Sequence, residues 1–284
     1  MPPTPAAVAA LLDGTAITTV ALDVLTVEGP EATKFLQGQL SQDVAGMAPG
    51  ASALTFLLEP QGRIVAVLRV AREAPDRYRL DSDAGTGAAV LARLQRFRMR
   101  TRADLELTEG AWHAAARSAS LPVPEGALGL PWPGLAGWDL PVDGAARALP
   151  GGHVVAEAAL DGVRVAAVVP AARDLDERAI PAETGLVDAA ASFTKGCYTG
   201  QELVARMDSR AGAAPRTLRR VAGDGLPPGA GSPLAAKATG KAAGVLTTVV
   251  PTEGGWAGLA LVPRSVAVGD ELLVEGAGGA RVDR

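Results

Sequence analysis

Cys197 is the only cysteine in 284 residues. It stands in Lys195-Gly196-Cys197-Tyr198-Thr199-Gly200-Gln201-Glu202, directly ahead of Leu203-Val204-Ala205-Arg206. The spacing of Leu203, Val204 and Met207 predicts a helix from Gln201 onward. Gly196 and Gly200 let the backbone turn tightly or approach a ligand closely. A thiol just before a helix start feels the positive end of the dipole, and Lys195 adds a second positive charge. Both favour thiolate, which makes Cys197 a nucleophile or a soft ligand. The competing reading is a small apolar side chain packed in a turn, the usual fate of a free cysteine.

The elements that position this stretch follow from patterning. Residues 17–27 are rich in β-branched residues and read as a strand, ended by Gly29-Pro30, which opens a helix striped by Ala32, Phe35, Leu36 and Leu40. Leu54 to Leu58 and Ile64 to Val70 form a hairpin across Glu59-Pro60-Gln61-Gly62-Arg63. Tyr78 to Leu80 is a short strand, and Ala88 to Phe97 a helix. Arg96, Arg98, Arg100 and Arg102 alternate as on one face of a strand, which is either an anion-binding surface or a solvated sheet face. Residues 120–152 are dense in proline and glycine and read as loop. Ala156 to Val169 reads as a helix leading into a strand. Beyond Pro215, the short strands Val245 to Val250, Trp256 to Val262 and Glu271 to Glu275 suggest a small barrel or sandwich. The expected division is 1–215 and 216–284.

Composition excludes several classes. The chain is 48% hydrophobic and 20% charged with a net charge of -4, ordinary for a globular protein and without global attraction to nucleic acid or anionic membrane. One cysteine rules out an internal disulfide and any Cys-x-x-Cys site. No apolar run approaches the roughly 18 residues of a membrane span. Met1-Pro2-Pro3-Thr4-Pro5 lacks the basic start of a secretory signal, so a cytoplasmic location is expected. His113 and His153 lack metal-site spacing, and no metal centre is expected. Asp43 is explained by an Asx-type turn as readily as by catalysis.

The stretch Lys195-Gly-Cys-Tyr-x-Gly-Gln-Glu followed by Val-Ala-Arg resembles the signature of the YgfZ family. These are folate-binding proteins linked to iron–sulfur cluster assembly or repair and related to the aminomethyltransferase (T-protein) of glycine cleavage. Phe35 to Val44, Gln61-Gly62-Arg63-Ile64, Arg164 to Ala167 and Ile180-Pro181 extend the likeness. The resemblance implies an α+β fold of three lobes around a central channel with an appended C-terminal barrel. It also implies tetrahydrofolate or a derivative as cofactor and iron–sulfur enzymes or assembly proteins as partners. Its effect on tRNA thiomethylation would be indirect.

By this likeness Cys197 and Lys195 carry the chemistry, while Tyr198, Gly200, Gln201, Glu202, Arg206 and Arg164 hold the cofactor. Tyr198 either faces a pterin or packs, and Arg206 either meets carboxylates or forms a surface ion pair. One thiolate cannot hold an iron–sulfur cluster, which takes four ligands; any cluster would be contacted transiently or bridged to a partner. The chain departs from T-proteins where their hairpin carries an aspartate pair. Here Ala66 and Val67 stand there, unable to transfer protons. Ala166 replaces a pterin-binding glutamate, and Val168 a usual glycine. A folate-dependent one-carbon transferase is therefore the alternative rather than the leading expectation, and whether the chain is an enzyme stays open.

Overall fold

In the computed structural model, residues 2–142, 153–209 and 214–284 are described, without the side chains of residues 206–209. Helix α1 (Pro5–Asp13) is capped by the Thr4 hydroxyl, which accepts from the Ala7 amide, an N-cap that satisfies one of the free amides of the first turn. Strand β1 (Ala16–Glu28) follows and becomes the centre of an antiparallel sheet. Helix α2 (Ala32–Gln39), β2 (Ser52–Leu58), β3 (Ile64–Ala74), β4 (Arg77–Asp83), helix α3 (Gly87–Gln95) and β5 (Asp104–Ala116) complete the first part. Two short strands, β6 (Leu128–Gly129) and β7 (Trp138–Pro141), lie inside the proline-rich segment expected to be loop. They pair because β7 extends the sheet at β5, a tertiary edge with no local signal.

The sheet order is β2-β3-β4-β1-β5-β7-β6, with β8 (His153–Val154) parallel to the start of β1. Leu25, Val27, Leu68, Val70 and Leu80 from the sheet pack against Phe35, Leu36, Val90 and Leu94 from α2 and α3. Helix α4 (Ala159–Ala167) packs on α1 and β1 through Leu160 and Val163. Gly162 permits this approach, since a Cβ there would stand 2.3 Å from a Val8 methyl.

The strand expected after α4 is not formed. The helix ends at Val168, whose φ of 54° and ψ of 44° lie in the left-handed region, and a 3-10 turn over Ala172–Asp174 follows. That conformation is where glycine is favoured and a β-branched residue is strained. The alternating arginines likewise do not form a strand: residues 96–102 turn back on themselves between α3 and β5, with Arg100 at φ 60°. Arg98 is spent on the Ala103 carbonyl and Arg102 on Glu31.

Helices α5 (Val187–Ala190) and α6 (Gln201–Ser209) cover β2. Strands β9 (Arg216–Asp224), β10 (Pro233–Ala236), β11 (Ala242–Thr252), β12 (Gly255–Pro263), β13 (Glu271–Val274) and β14 (Gly278–Val282) close into a six-stranded barrel in the order β10-β11-β12-β9-β14-β13. Trp256, Leu246, Leu272 and Val262 fill it. The barrel is tied to the rest by Asp174, which accepts from the Thr247 and Thr248 hydroxyls at 2.5 and 2.7 Å. Arg216 bridges Asp176 and Glu183 alongside. Among the described residues no helix is long and apolar enough to cross a membrane.

Candidate functional site

Two places carry polar side chains in chemically suggestive arrangements, and one turn of chain separates them. The first is a cavity of about 490 Å³ between the sheet, α4 and the segment that follows α4. Its walls are largely aliphatic, from Val20, Leu22, Leu54, Val67, Leu160 and Val169. Ala66 also lines it, so the two hairpin positions at which the resemblance to T-proteins implied an aspartate pair contribute only hydrocarbon.

The buried end of the cavity is ionic. Arg69 on β3 meets Asp81 on β4 and Asp139 on β7, each at 2.6 Å. Arg79 pairs with Asp81 at 2.6 Å, and Arg117 with Asp139 at 2.8 Å. These side chains are brought together by register: Arg69 stands opposite Asp81, and Ala115, two residues before Arg117, opposite Asp139. Burial alone would raise the pKa of Asp139, but the charges of Arg117 and Arg69 outweigh it and bring it to about 2. His113, hydrogen-bonded to Arg79, is held below its ordinary pKa by burial and then by the Arg79 charge. The Nε of Arg117, a residue 3% exposed, has no hydrogen-bond partner. Buried polar atoms are nearly always satisfied; this one is enclosed within the ionic cluster and is left without a partner among the described residues.

Trp132 lies over this end, with the guanidiniums of Arg117 and Arg164 at 5.2 and 5.1 Å from its ring. Arg164 is also ion-paired to Asp83 at 2.7 Å. The exposed residues Gln61, Arg63 and Glu177 line its open, solvent-facing part.

The second place is the Cys197 segment. Cys197 is exposed, so the packed-cysteine reading does not describe its surroundings. Gln201 organises it: its Oε1 accepts from the Tyr198 amide at 3.0 Å, and its Nε2 donates to Sγ at 3.8 Å. The Lys195 ammonium is half-buried and turned to the backbone. Its Nζ donates to the carbonyls of Gln37, Leu40 and Gln42 at 2.8, 2.7 and 2.8 Å, terminating α2 as cations do at helix C-termini. Burial pulls its pKa down to about 8. Tyr198 is half-buried, with Lys195 Nζ 5.1 Å from its ring, and burial raises its phenol to about 12. Gly200 has φ 84°, and a Cβ there would stand 2.7 Å from the Glu59 carbonyl oxygen. Glu202 is exposed on the first turn of α6. The side chain of Arg206 lies outside the described residues.

Of the sequence-derived site residues, Arg164 lines the cavity, whereas Lys195, Cys197, Tyr198, Gly200, Gln201 and Glu202 do not. The two sets are separated by the β2–β3 turn. Sequence reasoning passed over Arg69, Asp81, Arg117, Trp132 and Asp139. The one local sign was a charge within an apolar strand, Val67-Leu68-Arg69-Val70; a partner 70 residues away has none.

No protein-family model matches the chain. It is 28% identical over 225 residues to the tRNA-modifying protein YgfZ of Edwardsiella ictaluri, an alignment covering 68% of this chain and 66% of that one. It is 27% identical over 214 residues to a mitochondrial iron–sulfur cluster assembly factor IBA57 homolog of Pyricularia oryzae, covering 69% of this chain and 54% of that protein. The chain thus spans about two thirds of the first relative and about half of the second. The crystal structure of the glycine cleavage system aminomethyltransferase T from Bartonella henselae superposes with a TM-score of 0.78 at 22% identity, covering 95% of this chain and 85% of that one.

Proposed function

We propose that this homologue of YgfZ, built on the aminomethyltransferase fold, is a folate-binding accessory protein supporting the assembly or repair of iron–sulfur enzymes, and through them tRNA modification. The supporting observation is the 490 Å³ cavity, aliphatic along its walls and furnished with donors and acceptors at one end. That size and mixture match small-molecule sites generally. A flat heterocycle with a polar edge fits it: Trp132 offers a face, and the cluster of Arg69, Asp81, Asp139 and Arg117 a polar end wall. When bound, a reduced folate would supply a one-carbon carrier. Arg164 positions Trp132 and Asp83, and the ionic cluster holds the sheet strands at fixed spacing. Cys197 serves as the exposed thiol presented to a partner, with Gln201 orienting Sγ and Lys195 fixing the loop to α2.

The transferase alternative is disfavoured because Ala66 and Val67 put no acid on the cavity wall, and the carboxylates that do line its buried end are engaged by arginines. Calorimetric titration with 5-formyltetrahydrofolate tests the binding. Saturable binding is expected, weakened about tenfold in Trp132→Ala by loss of an aromatic contact of roughly 1.4 kcal/mol. Absence of binding at millimolar ligand would overturn the reading. In cells, deletion of the gene should lower iron–sulfur enzyme activity, and a Cys197→Ala copy should not restore it. Full rescue by that copy would remove the thiol from the function.

A further inference from the structure

The cavity and the cysteine segment share no lining residue, yet both rest on one five-residue turn. Glu59, Gln61 and Arg63 of the β2–β3 turn line the cavity. Gly62, between the last two, is buried and faces the other way. A Cβ on it would stand 2.6 Å from Leu203 Cβ and 3.2 Å from the Gly200 carbonyl oxygen. Gly200 in turn is pressed against the Glu59 carbonyl and the Leu58 side chain. Both glycines have φ of 84°, a left-handed backbone that side chains resist.

The turn is a closed unit. The Glu59 amide donates to the Arg63 carbonyl at 2.9 Å, the Gly62 amide to Glu59 at 2.8 Å, and the Ile64 amide to Ala179 at 2.9 Å. Leu203 belongs to the first turn of α6, the helix that begins with Gln201. Gln201 holds the Tyr198 amide and Cys197 Sγ together. A continuous packed path therefore runs from the open end of the cavity through Gly62 to the clamp on the thiol.

From this path we infer that occupancy of the cavity regulates the reactivity of the exposed Cys197 thiol, with the β2–β3 turn as the transmitting element. The inference rests on the folate reading above. A ligand touching Gln61 and Arg63 restricts the turn. The restricted turn holds Gly62 against Leu203 and Gly200, which holds the start of α6 and keeps Gln201 on the thiol. The device separates two states of the protein: one with the cavity filled and Gln201 held on the exposed thiol, the other with the cavity empty and Gln201 released from it. A ligand shifts such an equilibrium only by its differential affinity for the two states, so the effect is bounded by what the turn contacts contribute.

The single cysteine makes the test direct. The alkylation rate of Cys197 by iodoacetamide is measured with and without saturating 5-formyltetrahydrofolate, with binding followed separately by calorimetry. Wild type is expected to react about threefold or more slowly when the ligand is bound. Leu203→Gly removes both side-chain atoms that face Gly62, Cβ and Cδ2, and lies outside the cavity. It is expected to bind the ligand as wild type does and to lose the difference in rate. Gly62→Ala is a second variant, expected to uncouple in the same way if it folds. Ligand binding with an unchanged wild-type rate would overturn the coupling and leave the folate reading standing. An undiminished ligand effect in Leu203→Gly would show that the turn is not the path and also overturn it. No ligand binding at all would overturn both.

Discussion

The two polar regions of this molecule are built on opposite plans. At the buried end of the cavity, charge is satisfied by charge: Arg69, Arg79 and Arg117 share Asp81 and Asp139, all almost fully buried. At the Cys197 segment, order comes from the backbone, with Lys195 taking three carbonyls and Gln201 an amide. The first plan fixes strands far apart in sequence and tolerates no missing partner, because a buried charge left alone is costly. The second fixes one exposed loop locally and leaves its thiol uncommitted. A stable scaffold and an available sulfur are thus supplied by different physics in one chain.

The contrast is most sharply broken at Asp139. Asp139→Ala leaves Arg69 and Arg117 without that carboxylate and should cost about 3–5 kcal/mol in urea unfolding. The same carboxylate gives a pH signature. Its pKa is lowered from 3.8 to about 2 on folding, so its contribution is fully present above about pH 5. It is lost as the pH falls through the folded value near 2, amounting to about 2 kcal/mol. A wild-type stability that declines over this window more steeply than that of Asp139→Asn would sharpen the point.

Lys195→Ala should cost less, about 2 kcal/mol, since its three acceptors lie at a partly solvated helix end. Its pKa falls on folding from 10.5 to about 8; the unfolded chain therefore holds the proton more tightly, and this residue's contribution rises between about pH 8 and 10.5. Val168→Gly should stabilise by about 1 kcal/mol by relieving the left-handed backbone; a loss measured by thermal unfolding would mean its packing against Val165 and Leu218 dominates. Smallest of all, Cys197→Ser should change stability by no more than about 0.5 kcal/mol, as exposed substitutions do.

Much of the architecture was legible because it is locally encoded. The β-branched run at residues 17–27, the Gly29-Pro30 break and the stripe of Phe35, Leu36 and Leu40 each specify an element by periodicity. The punctuated strands after Pro215 close into the expected barrel. The motif from Lys195 to Arg206 is likewise contiguous, so its residues could be picked out together before their geometry was known. Misreadings arose where period and backbone disagreed: the arginines at 96–102 keep a strand's spacing, but Arg100 sits at φ 60° in a turn.

What the chain determined by itself is most of the long elements and the placing of its one cysteine in a glycine-shaped loop, since these depend on neighbours a few residues apart. Tertiary structure alone decided that Arg69, Asp81, Arg117 and Asp139 meet, because strand register joins residues up to 70 positions apart. It also decided that Lys195 is turned to the end of α2 and that the β2–β3 turn stands between cavity and thiol. Those are consequences of how faces pack, and packing brings together groups whose separation along the chain carries no trace of their contact.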